Sequence, residues 1–110
     1  MQEKNWPNFN KNLISNVVKI IKSGNVNYTY GEYGNKFEKE FSKYIGNRYS
    51  VAMCNGTAAL EVAIKSLGIP DKSEIIVPAR SFFSSASCIV NTGHKPIFAD
   101  VDLITQNISL

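Results

Sequence analysis

A glycine and a hydroxyl residue stand together where an apolar run changes to a helical pattern, in YSVAMCNGTAALEVAI (residues 49–64). Glycine lets another group approach the backbone closely, and Thr57 heads the predicted helix. A helix N-terminus offers free N–H groups and partial positive charge, so Gly56 and Thr57 could hold a phosphate. The alternative is a tight turn in which Thr57 is an ordinary N-cap. The loop is neither a Walker loop nor a G-x-G-x-x-G fingerprint.

A second loop, Pro78-Ala79-Arg80-Ser81, carries a cation and precedes two aromatic residues. The pattern predicts that Arg80 stands at a helix start, where the dipole disfavours a cation unless an anion lies nearby. A solvated side chain is the alternative. Phe82 and Phe83 would point about 100° apart on that helix, so one could pack in the core while the other faces a ligand. These residues favour a phosphorylated aromatic small molecule as ligand.

The spacing of apolar residues predicts the elements that position these two loops. Helices are expected over residues 10–22 and from an Asn35 cap, with Glu38 three residues on, to Gly46. Strands and helices then alternate as strand 49–53, helix 58–67, strand 74–77, helix 81–92 and strand 95–101. Short links make such strands parallel, so the prediction is an α/β fold with a β-α-β-α-β unit.

This topology separates the loops from the sole histidine. Ligands of open parallel sheets bind at the carboxyl ends of the strands, where both loops lie. His94 falls between a helix end and a strand start, at the opposite edge, so we do not expect it to be catalytic.

Composition excludes several classes of protein. The chain has 110 residues, 44% hydrophobic and 19% charged, which is typical of a single globular domain. A net charge of +3 with interspersed signs argues against nucleic-acid binding. Cys54 and Cys88 lack zinc-ligand spacing and are expected to be buried, reduced thiols of a cytoplasmic protein. We expect no metal site, export signal or membrane span.

Several motifs in order resemble the DegT/DnrJ/EryC1/StrS family of pyridoxal-phosphate-dependent sugar aminotransferases. They are YGEYGNKFEKEF, NGTAALEVAIKSLGI, SEIIVPARSFF and GHKPIFADVD, and they cover nearly the whole chain. The resemblance implies part of an aspartate-aminotransferase-like (type I) fold. Residues 1–48 would form an N-terminal helical segment with a substrate-side loop, and residues 49–110 would begin the cofactor-binding α/β large domain.

The resemblance also implies roles for residues of the two loops. Gly56, Thr57 and Ala58 match the loop that binds the phosphate of pyridoxal 5′-phosphate, through backbone N–H groups and the threonine hydroxyl. Phe82 matches the aromatic residue that stacks on the pyridine ring. Arg80 falls at a variable position near the cofactor and is a candidate for substrate binding.

Other positions are implied to lie near the substrate or to order loops. Tyr28 and Gly31 match a segment near the sugar, in which Glu32 replaces a frequent proline. Asp100 and Asp102 match a recurring Asp-Val-Asp that we interpret as structural.

No catalytic residue is assigned within the chain. The family's Schiff-base lysine lies further downstream, and Lys65, Lys72 and Lys95 do not match it, the last two being expected at the edge away from the site. We therefore expect an N-terminal fragment of a longer enzyme, inactive by itself.

For a full-length member, the resemblance implies transfer of an amino group to a nucleotide-linked keto-sugar in lipopolysaccharide or other surface polysaccharide biosynthesis. Glutamate would be the donor and the enzyme a cytoplasmic homodimer. A sugar dehydrase of the same family, a non-catalytic phosphate-binding or assembly module and an inactive remnant are the alternatives.

Overall fold

A computed structural model describes residues 7–109 of the chain. The chain divides into two compact units, with the boundary between Ala52 and Met53. The helices and strands are α1 (Lys11–Ser23), α2 (Tyr33–Ile45), α3 (Gly56–Ser66), β1 (Glu74–Pro78), α4 (Ser84–Asn91) and β2 (Lys95–Ala99). Over residues 7–109, no helix has the length and apolarity needed to cross a bilayer. The first six residues, which bear on the expected lack of an export signal, lie outside the described part.

Helix α1 lies within one residue of the predicted range, 10–22, at each end. Asn10 is the N-cap, and its side-chain oxygen accepts a hydrogen bond from the Leu13 amide at 2.9 Å. Gly24 ends the helix in the left-handed conformation, with φ at +73°, which favours glycine. The apolar stripe of this helix is solvent-exposed among the described residues, since none of its side chains is buried.

Helix α2 starts earlier than predicted. Asn35 is not the cap, because the helix already begins at Tyr33 and Asn35 is its third residue. Glu38 therefore does not close a capping box and has other hydrogen-bond partners. Gly46 ends the helix with φ at +79°, in agreement with the sequence.

The second unit contains a parallel two-stranded sheet. β1 and β2 pair in register from Glu74 with Lys95 to Pro78 with Ala99, and α4 is the crossover between them. The predicted parallel arrangement of these two strands is confirmed. The predicted strand over 49–53 is not formed among residues 7–109, because no neighbouring strand there supplies the hydrogen bonds that define one.

A small core lies where α4 covers the sheet. Val77, Cys88 and Ile89 are each at most 4% exposed, and Ile64 of α3 packs against them. Cys88 is thus buried as expected. Cys54 is exposed, which corrects the prediction for that thiol, because it lies in the loop before α3 and outside this core.

Candidate functional site

The N-terminus of α3 is capped by a residue that the sequence analysis did not single out. Asn55 has an extended backbone, and its side-chain oxygen accepts a hydrogen bond from the Ala58 amide at 2.9 Å. Thr57 is therefore the second residue of the helix and not its cap. The amides of Gly56 and Thr57 belong to the first turn, whose N–H groups have no acceptor inside the helix.

The amide of Ala58 is less available to a ligand than the amides of the two residues before it. Its amide is already hydrogen-bonded to Asn55, so it can donate to a ligand only by sharing or giving up the cap. Gly56 and Thr57 keep their amides available, and the partly buried Thr57 adds a hydroxyl group.

Gly56 is surrounded by open space on the side where a side chain would lie. A Cβ added at this position would meet nothing within 4 Å among the described residues, and the φ of Gly56 lies outside the left-handed region. The local backbone therefore does not itself require a glycine. Open space next to unpaired amides is the arrangement that lets a phosphate approach the backbone closely.

Two exposed aromatic rings follow β1. Phe82 and Phe83 are 77% and 81% exposed, so the prediction that one of them packs in the core is wrong. The reason is that α4 begins only at Ser84, three residues later than predicted, which leaves both rings in the loop or at its end. The Phe82 ring is free to stack on a planar group.

Arg80 lies in the same loop and not at a helix start, which corrects its predicted place. Its Nη1 group donates a hydrogen bond to Oε1 of Gln106, in the segment after β2. Gln106 has φ at +59°, and its backbone N–H group donates a hydrogen bond to the backbone carbonyl of Asp102 at 2.9 Å. Because the partner of Arg80 is neutral, the guanidinium charge is not compensated by this contact.

Asp102 orders the segment that carries Gln106. Its carboxylate accepts hydrogen bonds from the amides of Ile104 and Thr105, at 3.1 and 2.7 Å, and from the Thr105 hydroxyl. The bonds from Thr105, first that of its amide, lower the pKa of Asp102. These contacts support the interpretation of Asp102 as a loop-ordering residue.

A depression of about 350 Å³ lies beside the Phe82 loop. It is lined by Pro78, Ala79, Ser81, Phe82, Phe83, Ser85, Ala86 and Phe98. Most of these residues belong to the carboxyl end of β1 and the start of α4, so the depression opens at the predicted ligand edge of the sheet.

Both helices of the second unit start at this edge. Helix α4 connects the carboxyl end of β1 to the amino end of β2, and α3 leads through a short link to the amino end of β1. Asn91 at the end of α4 donates to Glu61 in the middle of α3 at 2.8 Å. This bond joins the two helices side by side, in agreement with the contact between them.

The topology therefore places some of the predicted residues at one edge of the sheet. The edge carries the Gly56–Thr57 amides, the Phe82 ring and Arg80. His94 lies at the other edge, directly before β2, and its amide donates to the Ile89 carbonyl at 3.0 Å. Its predicted topology is confirmed.

The remaining predicted residues, Tyr28 and Gly31, belong to the first unit. The Tyr28 hydroxyl donates to Glu38 Oε2 at 2.9 Å, and this hydrogen bond raises the pKa of Tyr28 above its ordinary value of 10.0. Gly31 is required by space, because a Cβ there would lie 2.6 Å from the carbonyl oxygen of Asn27. These residues thus build a tight loop ahead of α2.

The sequence did not reveal the roles of three side chains, Asn55, Gln106 and Glu38, the last of which was predicted to close a capping box. The first left a signal, since an asparagine directly before a helical pattern is a common N-cap. The other two act through residues distant in sequence, which local patterns do not reveal.

Comparison with known proteins gives a consistent result. Residues 7–110 match the DegT/DnrJ/EryC1/StrS aminotransferase family. The chain is 38% identical over 102 residues to spore coat polysaccharide biosynthesis protein SpsC of Bacillus subtilis, covering 93% of this chain and 26% of that protein.

Solved structures agree with this match. An aminotransferase from Psychrobacter cryohalolentis has a TM-score of 0.91 at 41% identity, over 94% of this chain and 26% of that one. GDP-4-keto-6-deoxy-D-mannose-3-dehydratase of E. coli, solved with bound hydrated PLP, has a TM-score of 0.83 at 27% identity, over 93% and 27%. The predicted fold is confirmed, and the chain spans about a quarter of the length of these relatives.

Proposed function

The chain belongs to the DegT/DnrJ/EryC1/StrS aminotransferase family, and from this premise we propose that its protein transfers an amino group to a nucleotide-linked keto-sugar with pyridoxal 5′-phosphate as cofactor. The observation that carries the proposal is the open N-terminus of α3, beside an exposed aromatic ring at the same sheet edge. Glutamate as the amino donor, a homodimeric assembly and a cytoplasmic location are parts of the proposal.

The residues at the sheet edge fit the cofactor. The amides of Gly56 and Thr57 and the Thr57 hydroxyl would hold the phosphate dianion, which the helix N-terminus also favours electrostatically. Phe82 would stack on the pyridine ring, since its face is not used by the protein core. Ala58 would contribute chiefly by keeping the Asn55 cap in place.

When bound, pyridoxal phosphate supplies an electron sink that stabilises negative charge on the carbon next to nitrogen. The chain's own contribution is to bind and orient that group. The hydrogen bond between Asn55 and Ala58 fixes the first turn of α3, and the Phe82 loop covers the edge where the ring would lie.

The proposed substrate class is supported by charge as well as by the relatives. The guanidinium group of Arg80 contacts a neutral glutamine, so it is suited to bind an anionic group such as the diphosphate of a nucleotide sugar. SpsC acts in spore coat polysaccharide biosynthesis, by its name, and the E. coli dehydratase acts on a nucleotide-linked keto-sugar. Together they support a role in making lipopolysaccharide or another surface polysaccharide.

A second candidate is a PLP- or PMP-dependent dehydratase of the same family, which the similarity to the E. coli enzyme favours. The two candidates make different products. Incubation of the whole protein with glutamate and a panel of nucleotide-linked keto-sugars distinguishes them by mass spectrometry. An amino-sugar supports the aminotransferase, whereas a deoxygenated sugar supports the dehydratase.

The cofactor site is tested by Thr57→Val, which keeps the shape of the side chain and removes its hydroxyl. We expect the dissociation constant of pyridoxal phosphate to rise by roughly 10- to 150-fold, since a hydrogen bond to a charged group is worth about 1.5–3 kcal/mol. Thr57→Ser, which keeps the hydroxyl, is the matched control and should bind nearly normally.

Phe82→Ala tests the other half of the cofactor site, and its loss of stacking should also weaken binding several-fold. Equilibrium dialysis with absorbance detection measures both variants. Unchanged binding in Thr57→Val and Phe82→Ala would contradict these roles.

A further inference from the structure

We propose that Glu38 is a positioning residue. Its two carboxylate oxygens tie two segments to α2: the Tyr28 loop, and the backbone that leads into the phosphate loop (residues 56–58). The two segments are therefore ordered together. The Tyr28 loop is residues 25–31. The inference rests on the proposed function, because the phosphate loop is the one that would hold pyridoxal phosphate.

Each oxygen of Glu38 has its own partner. Oε2 accepts a hydrogen bond from the Tyr28 hydroxyl at 2.9 Å, and Oε1 accepts one from the Ala52 amide at 2.7 Å. The partners lie 10 residues before and 14 residues after Glu38 in the sequence. Both distances lie within the normal range of protein hydrogen bonds.

The Tyr28 ring is also fitted to α2. Gly34 lies one turn before Glu38 on the same helix face, and a Cβ at Gly34 would lie 2.5 Å from Cδ2 of Tyr28. The ring therefore rests on the helix backbone where only a glycine leaves room. Its hydroxyl also lies 3.3 Å from the side-chain oxygen of Asn35.

The rest of the loop is linked to Tyr28, because hydrogen bonds join the loop residues on either side of it. The side-chain oxygen of Asn27 accepts a hydrogen bond from the Tyr30 amide at 2.9 Å, and its carbonyl accepts one from the Gly31 amide at 2.9 Å. Tyr30 itself is 80% exposed. Tyr28, held by Glu38, thus anchors a loop that is closed by its own hydrogen bonds, and a different tyrosine, Tyr30, is exposed to solvent.

The other arm of Glu38 holds the chain that leads to α3. Ala52 lies three residues before Asn55, the cap of that helix. The same segment has a second bond to α2, between the hydroxyl groups of Ser42 and Ser50 at 2.9 Å, where Ser42 is buried. A change in the position of the Glu38 carboxylate would therefore reach the Tyr28 loop and the backbone before the phosphate loop together.

The experiment measures amide hydrogen exchange in the whole protein, with and without saturating pyridoxal phosphate. In the wild type, we expect the cofactor to slow exchange at Ala52 and in residues 25–31. In Glu38→Ala, we expect exchange at Ala52 to rise at least 10-fold and the response of the Tyr28 loop to the cofactor to disappear. The dissociation constant of pyridoxal phosphate should rise several-fold.

Three further variants separate positioning from a general loss of stability. Glu38→Gln can keep both contacts, with its oxygen facing Ala52 and its NH₂ group donating to the Tyr28 hydroxyl, so it should restore most of the coupling. Tyr28→Phe keeps the ring and should free only the loop. Glu40→Ala, on the same helix, is the matched control and should change nothing.

Two results would overturn the inference. One is a Tyr28 loop that responds to pyridoxal phosphate equally in the wild type and Glu38→Ala, or in neither. The other is a variant that lowers the melting temperature while leaving Ala52 exchange and cofactor affinity unchanged. If the wild type binds no pyridoxal phosphate, the proposed function fails. A comparison of the exchange rate at Ala52 in Glu38→Ala and in the wild type still decides whether Glu38 holds this backbone segment. Should Glu38→Ala not fold, Tyr28→Phe tests the bond to the Tyr28 loop: a cofactor response of residues 25–31 that is the same in Tyr28→Phe and the wild type overturns the inference.

Discussion

The two units of the chain place their apolar side chains differently. In α1, Leu13, Ile14 and Val17 form a regular helical stripe, yet each is close to half exposed among the described residues. In the second unit, Val77 and Ile89 are nearly inaccessible to water, because α4 lies across the sheet. Amphipathic spacing is therefore sufficient to form a helix here, whereas burial requires a partner element.

The stabilising contacts differ in the same way. Helices α1 and α2 make no contact with each other among residues 7–109, and the first unit is held by caps and by side-chain hydrogen bonds such as those of Glu38. The second unit is held by packing of α3, α4 and the sheet. The following predictions test this difference.

The largest effect is expected from shortening a core side chain. Ile89→Ala should lower the free energy of unfolding by about 2–5 kcal/mol, because it removes buried methyl groups and leaves a cavity. Ile14→Ala is the matched change in α1 and should cost less than about 1 kcal/mol, since its side chain is half exposed and alanine favours helix. Urea unfolding of the whole protein measures both.

An equal loss of unfolding free energy in Ile89→Ala and Ile14→Ala would contradict the difference between the two units. It would mean that the stripe of α1 is covered in the protein as firmly as the core of the second unit.

A smaller effect is expected from removing the N-caps. Asn10→Ala and Asn55→Ala should each cost about 1 kcal/mol, since each leaves a first-turn amide without its acceptor. Hydrogen exchange should show opening confined to α1 for Asn10→Ala. For Asn55→Ala it should spread to α4, which packs on α3.

Asn→Ser at either position keeps an acceptor and is the control for the caps. Opening that spreads equally from both sites would contradict the difference between the units.

The smallest effect concerns pH and a single loop. Hydrogen bonds from Thr105 lower the pKa of Asp102. At a pH above 3.8, the ordinary pKa of this carboxyl group, its contribution to the order of residues 102–107 is therefore fully present. This contribution is lost as the pH falls through the lowered pKa of the folded state. The protection of the Thr105 amide, which is the factor by which it exchanges more slowly than in an unstructured peptide at the same pH, should therefore fall in acid.

Asp102→Asn should abolish that acid-dependent loss of protection, and Asp71→Asn should preserve it. A loss of protection in acid that persists in Asp102→Asn would assign the acid response to another group.

Several features followed from short-range patterns and were predictable. The end of α2 at Gly46, the parallel pairing of β1 with β2 and the place of His94 all agree with the sequence. Each of them depends on residues within one turn of helix or on the short links of a β-α-β unit. The family resemblance rested on motifs within single loops and elements, and it was confirmed.

Other features were mispredicted because a pattern does not contain the partner. Residues 49–53 have the composition of a strand but have no strand beside them in the described part of the chain. Phe82 and Phe83 were assigned to a helix that begins only after them, because serine-rich starts give a weak boundary signal. Cys54 has an apolar context in sequence but no packed neighbours in the core.

The sequence by itself determined where the helices lie, how β1 and β2 run and which loops share the ligand edge, because these depend on propensity, caps and link length. The tertiary structure alone decided that Gly56 opens onto free space, that Arg80 is held by Gln106 across 26 residues, and that Glu38 joins Tyr28 to Ala52. Such contacts join atoms that are far apart along the chain. Their energies depend on distances that only the folded backbone sets.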